Sequence, residues 1–151
     1  MKPWFDEHYG PEIMENRTKA MSMLQEEQEL NEIVQLVGKD SLGANDQLTL
    51  ETAKMIREDF LQQNAFMDVD SYSSHDRQMR MLGMILTYDR LCRGAIAKGA
   101  ALQPLFDIPS KEKIGRAKFV DADSYVAEYA AIAEEMEREI ADIAEKAGTE
   151  V

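Results

Sequence analysis

The sequence is poor in several residue types, and each shortage excludes a class of protein. Its single cysteine, Cys92, cannot form an internal disulfide, so the fold must rely on packing and suits a reducing compartment. Its two histidines, His8 and His75, do not follow a glutamate by three positions, which excludes the Glu-x-x-His pairs of di-metal helical bundles. We therefore expect a chain that folds without disulfides and has no metal site.

Long apolar runs are also absent. No stretch approaches the roughly 20 apolar residues that span a bilayer, and the N-terminus lacks the basic flank and apolar run of a signal peptide. We therefore expect a cytoplasmic location and no direct membrane insertion.

Basic residues are scarce relative to acidic ones. The chain has 17 Lys and Arg against 29 Asp and Glu, a net charge of −12. Such a surface repels the phosphate backbone of nucleic acid and an anionic membrane, so a protein partner is expected and nucleic acid is not. With 151 residues, 44% of them hydrophobic, the chain is long enough for one domain with its own core, spanning residues 1–151.

A phosphate-binding loop is missing as well. The nearest fragment is Gly38-Lys39, but Asp40 follows where Ser or Thr must hold magnesium, and Ile33 stands where the first Gly belongs. The sequence therefore predicts no catalytic residue and no bound cofactor in this chain.

What is present is helical periodicity. The stretch 12–37 has no internal Gly or Pro, and in this and later segments apolar residues recur mostly every three or four positions. After a connecting segment at 1–11, helices are predicted at 12–37, 47–62, 74–98, 111–118 and 124–147. The fold class is therefore all-α, a bundle of about four main helices plus a short one, beginning with an antiparallel helix-loop-helix.

The same periodicity predicts which side chains form the core. In chain order they are Met14, Met21, Leu24, Leu30, Ile33, Val34, Val37, Leu48, Thr52, Met55, Ile56, Phe60, Met79, Leu82, Ile85, Leu86, Ile96, Tyr125, Tyr129, Ile132, Met136, Ile140, Ile143 and Ala147.

Helix ends have signals of their own. Gly38 and Gly99 are expected to end the first and third helices and Gly148 the last. Ser110 is the expected N-cap of the short helix, Asp121 or Asp123 that of the last one, and Pro104 and Pro109 are expected to interrupt helical structure.

Between the first two helices lies a polar segment, GKDSLGAND, rich in residues that favour turns. From its composition alone it predicts an exposed, solvated loop.

Longer motifs resemble a known family. KPWFDEHYGPE near the start, NEIVQLVGKDSLGANDQLTLETAKM from Asn31 to Met55 and IREDFLQQNAF from Ile56 to Phe66 resemble the C-terminal domain of the catalytic A subunit, or alpha chain, of archaeal and bacterial V/A-type ATP synthases. The resemblance continues through Ser73 to the last helix. The barrel, bulge and phosphate-binding core of that subunit have no counterpart here, so ATP and magnesium would be bound by the parent subunit only.

The resemblance implies a role in coupling. In this family the helical domain swings as the nucleotide site closes, its helix-loop-helix touches the rotating central stalk, and rotation drives proton or sodium transport. The implied partners are the central stalk, the B subunit, and the rest of the A subunit, in a head peripheral to the membrane. The implied contact loop comprises Gly38, Lys39, Asp40, Ser41, Leu42, Gly43, Ala44, Asn45 and Asp46.

Two further implications concern chemistry at the loop and at the nucleotide. Lys39, Asp40 and Asp46 would offer charges to the stalk, but steric pushing by a stiff helix pair is the more economical mechanism, because exposed ion pairs contribute only about 0 to 1 kcal/mol. By resemblance, Phe66 and Tyr72 sit where aromatic rings line the adenine pocket of the parent subunit.

Two other functions are open on the residues alone. The ten methionines could line a groove of a free-standing acidic adaptor, although their spacing favours core positions. A small enzyme could use Glu58 and Asp59, although these residues have the pattern of ordinary solvated charge. Cys92, among apolar neighbours, is expected to be an inert core residue rather than a nucleophile.

Overall fold

A computed structural model of the chain describes residues 10–61, 72–121 and 123–149; the side chains of 10–13, 72–74, 118 and 149 lie outside the described part. The predicted all-α fold is confirmed, and no strand occurs in the described ranges. The α-helices are α1 (Gly10–Val37), α2 (Ala44–Met55), α3 (Tyr72–Ala97), α4 (Leu102–Phe106), α5 (Pro109–Arg116) and α6 (Tyr125–Thr149). Short 3-10 turns lie at Lys39–Ser41 and Ala117–Phe119, and a π-helical segment at Ile56–Leu61 continues α2.

The central element is α3, which packs against α1, α2 and α6. Its buried side chains belong to one core that continues into α2, α5 and α6. Arg77, at the start of α3, donates to the Tyr129 hydroxyl of α6 at 3.1 Å and to the carbonyl oxygens of Ala117 and Val120. Further along, the buried Tyr88 hydroxyl donates to the Leu105 carbonyl oxygen at 2.9 Å. These bonds tie the last third of the chain to α3.

Most core predictions for α2, α3 and α6 are confirmed. Leu48, Met55 and Ile56 of the second helical segment are buried, as are Leu82 and Ile85 of α3. In α6 the residues Tyr125, Tyr129, Ile132, Met136 and Ile140 follow each other at fours and threes, and all five are buried.

The core prediction for α1 is largely wrong. Met14, Met21, Ile33 and Val37 are exposed. The buried stripe consists instead of Ala20, Met23, Glu27 and Leu30, whose spacing of three, four and three residues places them on one face. Of these four residues only Leu30 was predicted in the core; the others were missed in part because two of them are a small residue and a carboxylate.

Several helix boundaries also differ from prediction. Pro104 and Pro109 do not interrupt helices: each lies in the first turn of a short helix, where a missing N–H group loses no intrahelical bond. Ser110 is not the N-cap of α5, since Ile108 precedes the first helical residue, Pro109. Gly148 does not end α6, which continues to Thr149.

Of the remaining end signals, the two glycines are confirmed and the predicted cap of the last helix is wrong. Gly38 and Gly99 follow α1 and α3, and both have positive φ, 90° and 103°, the backbone region that favours glycine. Ser124, rather than Asp121 or Asp123, directly precedes the first residue of α6.

Candidate functional site

The candidate site is the turn between α1 and α2 with the helix ends beside it, residues 33–46, called the knuckle below. The chain leaves α1 at Gly38, makes the 3-10 turn Lys39–Ser41, and enters α2 at Ala44. The Gly38 amide donates to the Val34 carbonyl oxygen at 2.8 Å, and the Ser41 hydroxyl donates to the Gly38 carbonyl oxygen at 2.6 Å. The turn is therefore closed by its own hydrogen bonds.

The knuckle is more compact than the predicted exposed loop. Leu42 is buried, and its carbonyl oxygen accepts a 2.9 Å hydrogen bond from the Gln47 side-chain amide of α2. Ala44, Asn45 and Asp46 already form the first turn of α2. Only the stretch from Gly38 to Gly43 connects the helices, and one aliphatic side chain anchors it from inside.

The outer surface of the knuckle is apolar on its α1 side. Leu36 is 84% exposed and Val37 64% exposed, and Ile33 one turn earlier is 42% exposed. Aliphatic side chains this open to water gain free energy when a partner covers them. Sequence reasoning missed this patch because it assigned Ile33 and Val37 to the core.

The charged residues of the knuckle also face solvent. Lys39, Asp40 and Asp46 are exposed. Lys39 and Asp40 are adjacent and opposite in sign, so their fields largely cancel at a distance. The knuckle therefore has a mixed surface with little net charge of either sign.

Behind the knuckle, a buried polar network joins α2 to α3. The Asp89 carboxylate, fully buried on α3, accepts from the Thr52 hydroxyl at 2.7 Å and from Arg93 at 2.8 and 3.1 Å. Arg93 also donates to the Thr49 hydroxyl at 2.7 Å and to the Asn45 carbonyl oxygen at 3.4 Å. Thr49 in turn donates to that same carbonyl oxygen at 3.0 Å. Of these residues, Thr52 was predicted from the sequence as a core position and Asn45 as part of the contact loop, but neither was predicted to contact α3.

The far end of the helix pair is joined by an ion pair. Arg57, in the π-helical segment, donates to both carboxylate oxygens of Glu27 on α1, at distances between 2.6 and 3.1 Å. The hydrogen bond to Glu27 raises the pKa of Arg57. Glu27 is buried although it is charged, and its partner lies 30 residues away, so no local pattern could reveal it.

The two carboxylates considered for an enzyme differ in environment. Glu58 is exposed, as predicted, but Asp59 is buried at 8% exposure, so its prediction as solvated charge is wrong. An added methyl group on Gly115 of α5 would lie 3.6 Å from an Asp59 carboxylate oxygen, which places Asp59 against that helix. Across the described ranges, no cluster of three or more His, Cys, Asp or Glu side chains has the arrangement of a metal site.

The adenine-contact candidates lie at the edge of what is described. Phe66 falls in 62–71, outside the described residues, and Tyr72 is the first residue of α3, with its side chain outside them too. Their role in an adenine pocket stays a prediction.

Cys92 takes its expected core position, and so do several of the methionines. Cys92 is fully buried, and burial raises the pKa of its thiol to about 12, which leaves almost no thiolate near neutral pH. Among the residues that the structure describes, six methionines are buried: Met23, Met55, Met79, Met81, Met84 and Met136. Two surface grooves, of about 310 and 450 Å³, have no methionine in their walls, so they do not provide the methionine-lined groove of an adaptor.

Among the described residues, none of the helices combines the length and apolar character that a bilayer crossing requires.

Comparison with known proteins decides the family. The family model described as the C-terminal domain of V and A type ATP synthase matches residues 2–102, about two thirds of the chain. The chain belongs to this family. It is 43% identical over 147 residues to the V-type ATP synthase alpha chain of Clostridioides difficile, covering 97% of this chain and 25% of that protein. It is 44% identical over 124 residues to the A subunit of the A-type ATP synthase of Methanosphaera stadtmanae, covering 82% of this chain and 21% of that protein.

The chain corresponds to only part of each relative. It spans about a quarter of the length of these curated relatives. The family resemblance found in the sequence motifs is therefore confirmed for the C-terminal domain.

Proposed function

We propose that this V/A-type ATP synthase domain transmits force between a rotating central stalk and a nucleotide site in its parent subunit. Closure around ATP moves the α1–α2 pair, and the knuckle pushes the stalk, whose rotation drives proton or sodium transport. The chain itself performs no chemical step. The observation that carries this proposal is the knuckle: a hydrogen-bonded turn at the end of two packed antiparallel helices, with an uncovered aliphatic surface at its outer end.

The shape of the pair suits a pushing role. At 1.5 Å per residue, a 28-residue helix such as α1 is about 42 Å long, and a helix packed along its side resists bending. Glu27 and Arg57 join α1 to the segment that continues α2, and the hydrogen bond from Gln47 to Leu42 joins the connecting turn to α2. A displacement at one end of this pair is therefore carried to its other end.

The character of the knuckle surface suits a contact that forms and breaks. Leu36, Val37 and Ile33 cover far less than the roughly 1,200 Å² of a stable specific interface, so they give a weak contact. A stalk that turns must leave each contact in every revolution, so tight binding would impede it. Exposed charge pairs would add only about 0 to 1 kcal/mol to the binding free energy. The contact therefore depends on shape and apolar surface.

A second part of the chain has a role at the nucleotide of the parent subunit. Phe66 and Tyr72 supply aromatic faces to the adenine base in the parent subunit, with Gln62, Gln63 and Asn64 near by. The partners are the central stalk, the B subunit, and the remainder of the A subunit, within a head on the cytoplasmic side of a membrane. The net charge of −12 supports protein partners over nucleic acid.

The test uses two matched double variants in the assembled complex. Leu36→Ser with Val37→Ser removes the apolar surface, and Lys39→Gln with Asp40→Asn removes the charges. All four residues are exposed, so we expect stability to change by no more than about 0.5 kcal/mol in either variant. Ions transported per ATP hydrolysed should fall in the apolar variant and stay unchanged in the charge variant.

Two other outcomes of this test would contradict the proposal in different ways. If both variants keep full transport per ATP, the knuckle does not transmit force and the proposed function fails. If only the charge variant loses transport, the contact is electrostatic and the assignment to apolar surface fails.

A further inference from the structure

We infer that Asp89 and Arg93 are positioning residues for force transmission, because they fix α2, and with it the knuckle, to α3 so that the two helices move as one body. The inference rests on the proposed function and adds the route by which load reaches the rest of the domain.

The bonds of the network lie where such a route is needed. Asn45, Thr49 and Thr52 are spaced four and three residues apart, so they form one stripe of α2 facing α3. Thr52 is eight residues from Ala44, the first residue of α2, so at 1.5 Å per residue the network extends about 12 Å along α2 from its start. Asp89 and Arg93, one turn apart on α3, reach all three positions.

Stability alone does not explain a carboxylate in this place. Asp89 has no solvent exposure, and an ion pair in such a position is often no more stabilising than well-packed apolar side chains. Hydrogen bonds differ from apolar packing in being directional, and they weaken steeply when the atoms shift. A slide of α2 along α3 by one helical turn, about 5.4 Å, would break every bond between the two helices in this network. The network thus fixes the register of the pair under load.

A second ion pair on α3 provides a matched control. Arg80 donates to Asp76 at 2.8 Å, again four residues apart, and Asp76 is buried as Asp89 is. That carboxylate accepts from the Tyr125 hydroxyl at 2.5 Å, which joins α3 to α6 instead of α2. The two pairs share chemistry and helix but face different neighbours.

The central variant is Arg93→Met in the full assembled complex. It keeps the aliphatic length of the side chain and removes the donors to Asp89, Thr49 and the Asn45 carbonyl oxygen. We expect ions transported per ATP to fall several-fold, the Michaelis constant for ATP to stay unchanged, and amide hydrogen exchange in the first turns of α2 to accelerate. Arg93→Lys keeps the charge beside Asp89 but cannot bond to every partner, so it should restore part of the transport.

Two more variants separate positioning from a general loss of stability. Thr49→Val preserves shape and deletes one hydroxyl, so it should lower transport per ATP less than Arg93→Met while the complex assembles normally. Arg80→Met should lower the thermal midpoint by a similar amount to Arg93→Met but leave transport per ATP unchanged.

The outcomes distinguish the two claims. The inference is overturned if Arg93→Met and Thr49→Val both keep full transport per ATP, or if Arg80→Met lowers it as much as Arg93→Met does. When the Leu36→Ser, Val37→Ser variant uncouples and Arg93→Met does not, only the positioning role is lost. When the Leu36→Ser, Val37→Ser variant also leaves transport unchanged, the proposed function itself fails.

Discussion

At the scale of single residues, Gly38 sets the direction in which the chain leaves α1. Its φ of 90° and ψ of 157° lie in a region that is essentially restricted to glycine, and a methyl group added there would meet no atom within 4 Å. Gly43, at the other end of the turn, has a φ of −69° and equally open surroundings. The two glycines therefore differ in backbone conformation alone.

This difference predicts unequal effects of alanine. Gly38→Ala should lower the free energy of unfolding by about 1–3 kcal/mol, because the side chain disfavours the required backbone angles. Gly43→Ala should change it by less than about 1 kcal/mol, because the angles suit any residue and the reduced freedom of the unfolded chain offsets the poorer N-cap that Ala makes at the start of α2. Urea unfolding followed by circular dichroism measures both, and equal effects would contradict the conformational argument.

At the scale of elements, α5 begins with help from another helix. Ile108 precedes it and offers no side-chain acceptor, so the capping group comes from α6. The Glu139 carboxylate accepts from the Ser110 amide at 3.2 Å and from the Ser110 hydroxyl at 2.6 Å. A negative charge at this end of a helix is also favoured by the helix dipole.

This arrangement predicts that Glu139 acts as a remote cap. Glu139→Ala should destabilise the fold by about 1 kcal/mol, as loss of an ordinary cap does. Glu134→Ala, at an exposed position of the same helix, should change stability by less than about 0.5 kcal/mol. A double-mutant cycle with Ser110→Ala measures the interaction, and a coupling free energy of zero would show that the contact contributes nothing.

The elements also show what the sequence could and could not predict. α6 was predictable because its buried residues are large, apolar and regularly spaced. α1 was not, because its buried face contains Ala20 and Glu27, and Glu27 is buried only through Arg57, 30 residues later. The site followed the same rule: the position of the turn was readable from Gly38, whereas the Asp89 network depends on contacts between separate helices.

At the scale of the whole molecule, α3 links the knuckle to the rest of the domain. α2 is joined to it by the Asp89 network and α6 by Arg77, and Lys111 of α5 pairs with Glu51 of α2 at 2.5 Å. The knuckle is therefore attached to several elements, and a load on it is shared among them.

The proposed contact of Phe66 with adenine predicts an effect on ATP binding in the complete subunit. Phe66→Ala should raise the Michaelis constant for ATP by roughly an order of magnitude, because stacking of a base on an aromatic ring contributes about 1–3 kcal/mol. Phe119→Ala, at a position 72% exposed, serves as the control and should leave that constant unchanged. Steady-state ATP hydrolysis measures both, and an unaltered value for Phe66→Ala would remove Phe66 from the pocket.

The bonds from α3 to the last third of the chain have a consequence for how the domain can be divided. The family match ends at residue 102, yet Tyr88 and Arg77 find their acceptors at Leu105, Ala117, Val120 and Tyr129. A fragment trimmed at that border would lose these acceptors and would expose the apolar side chains of α3 that now pack against α6, which costs the free energy of their burial. The terminal helices therefore complete the core, and the smallest piece able to stay folded extends beyond the residues that the family model matches.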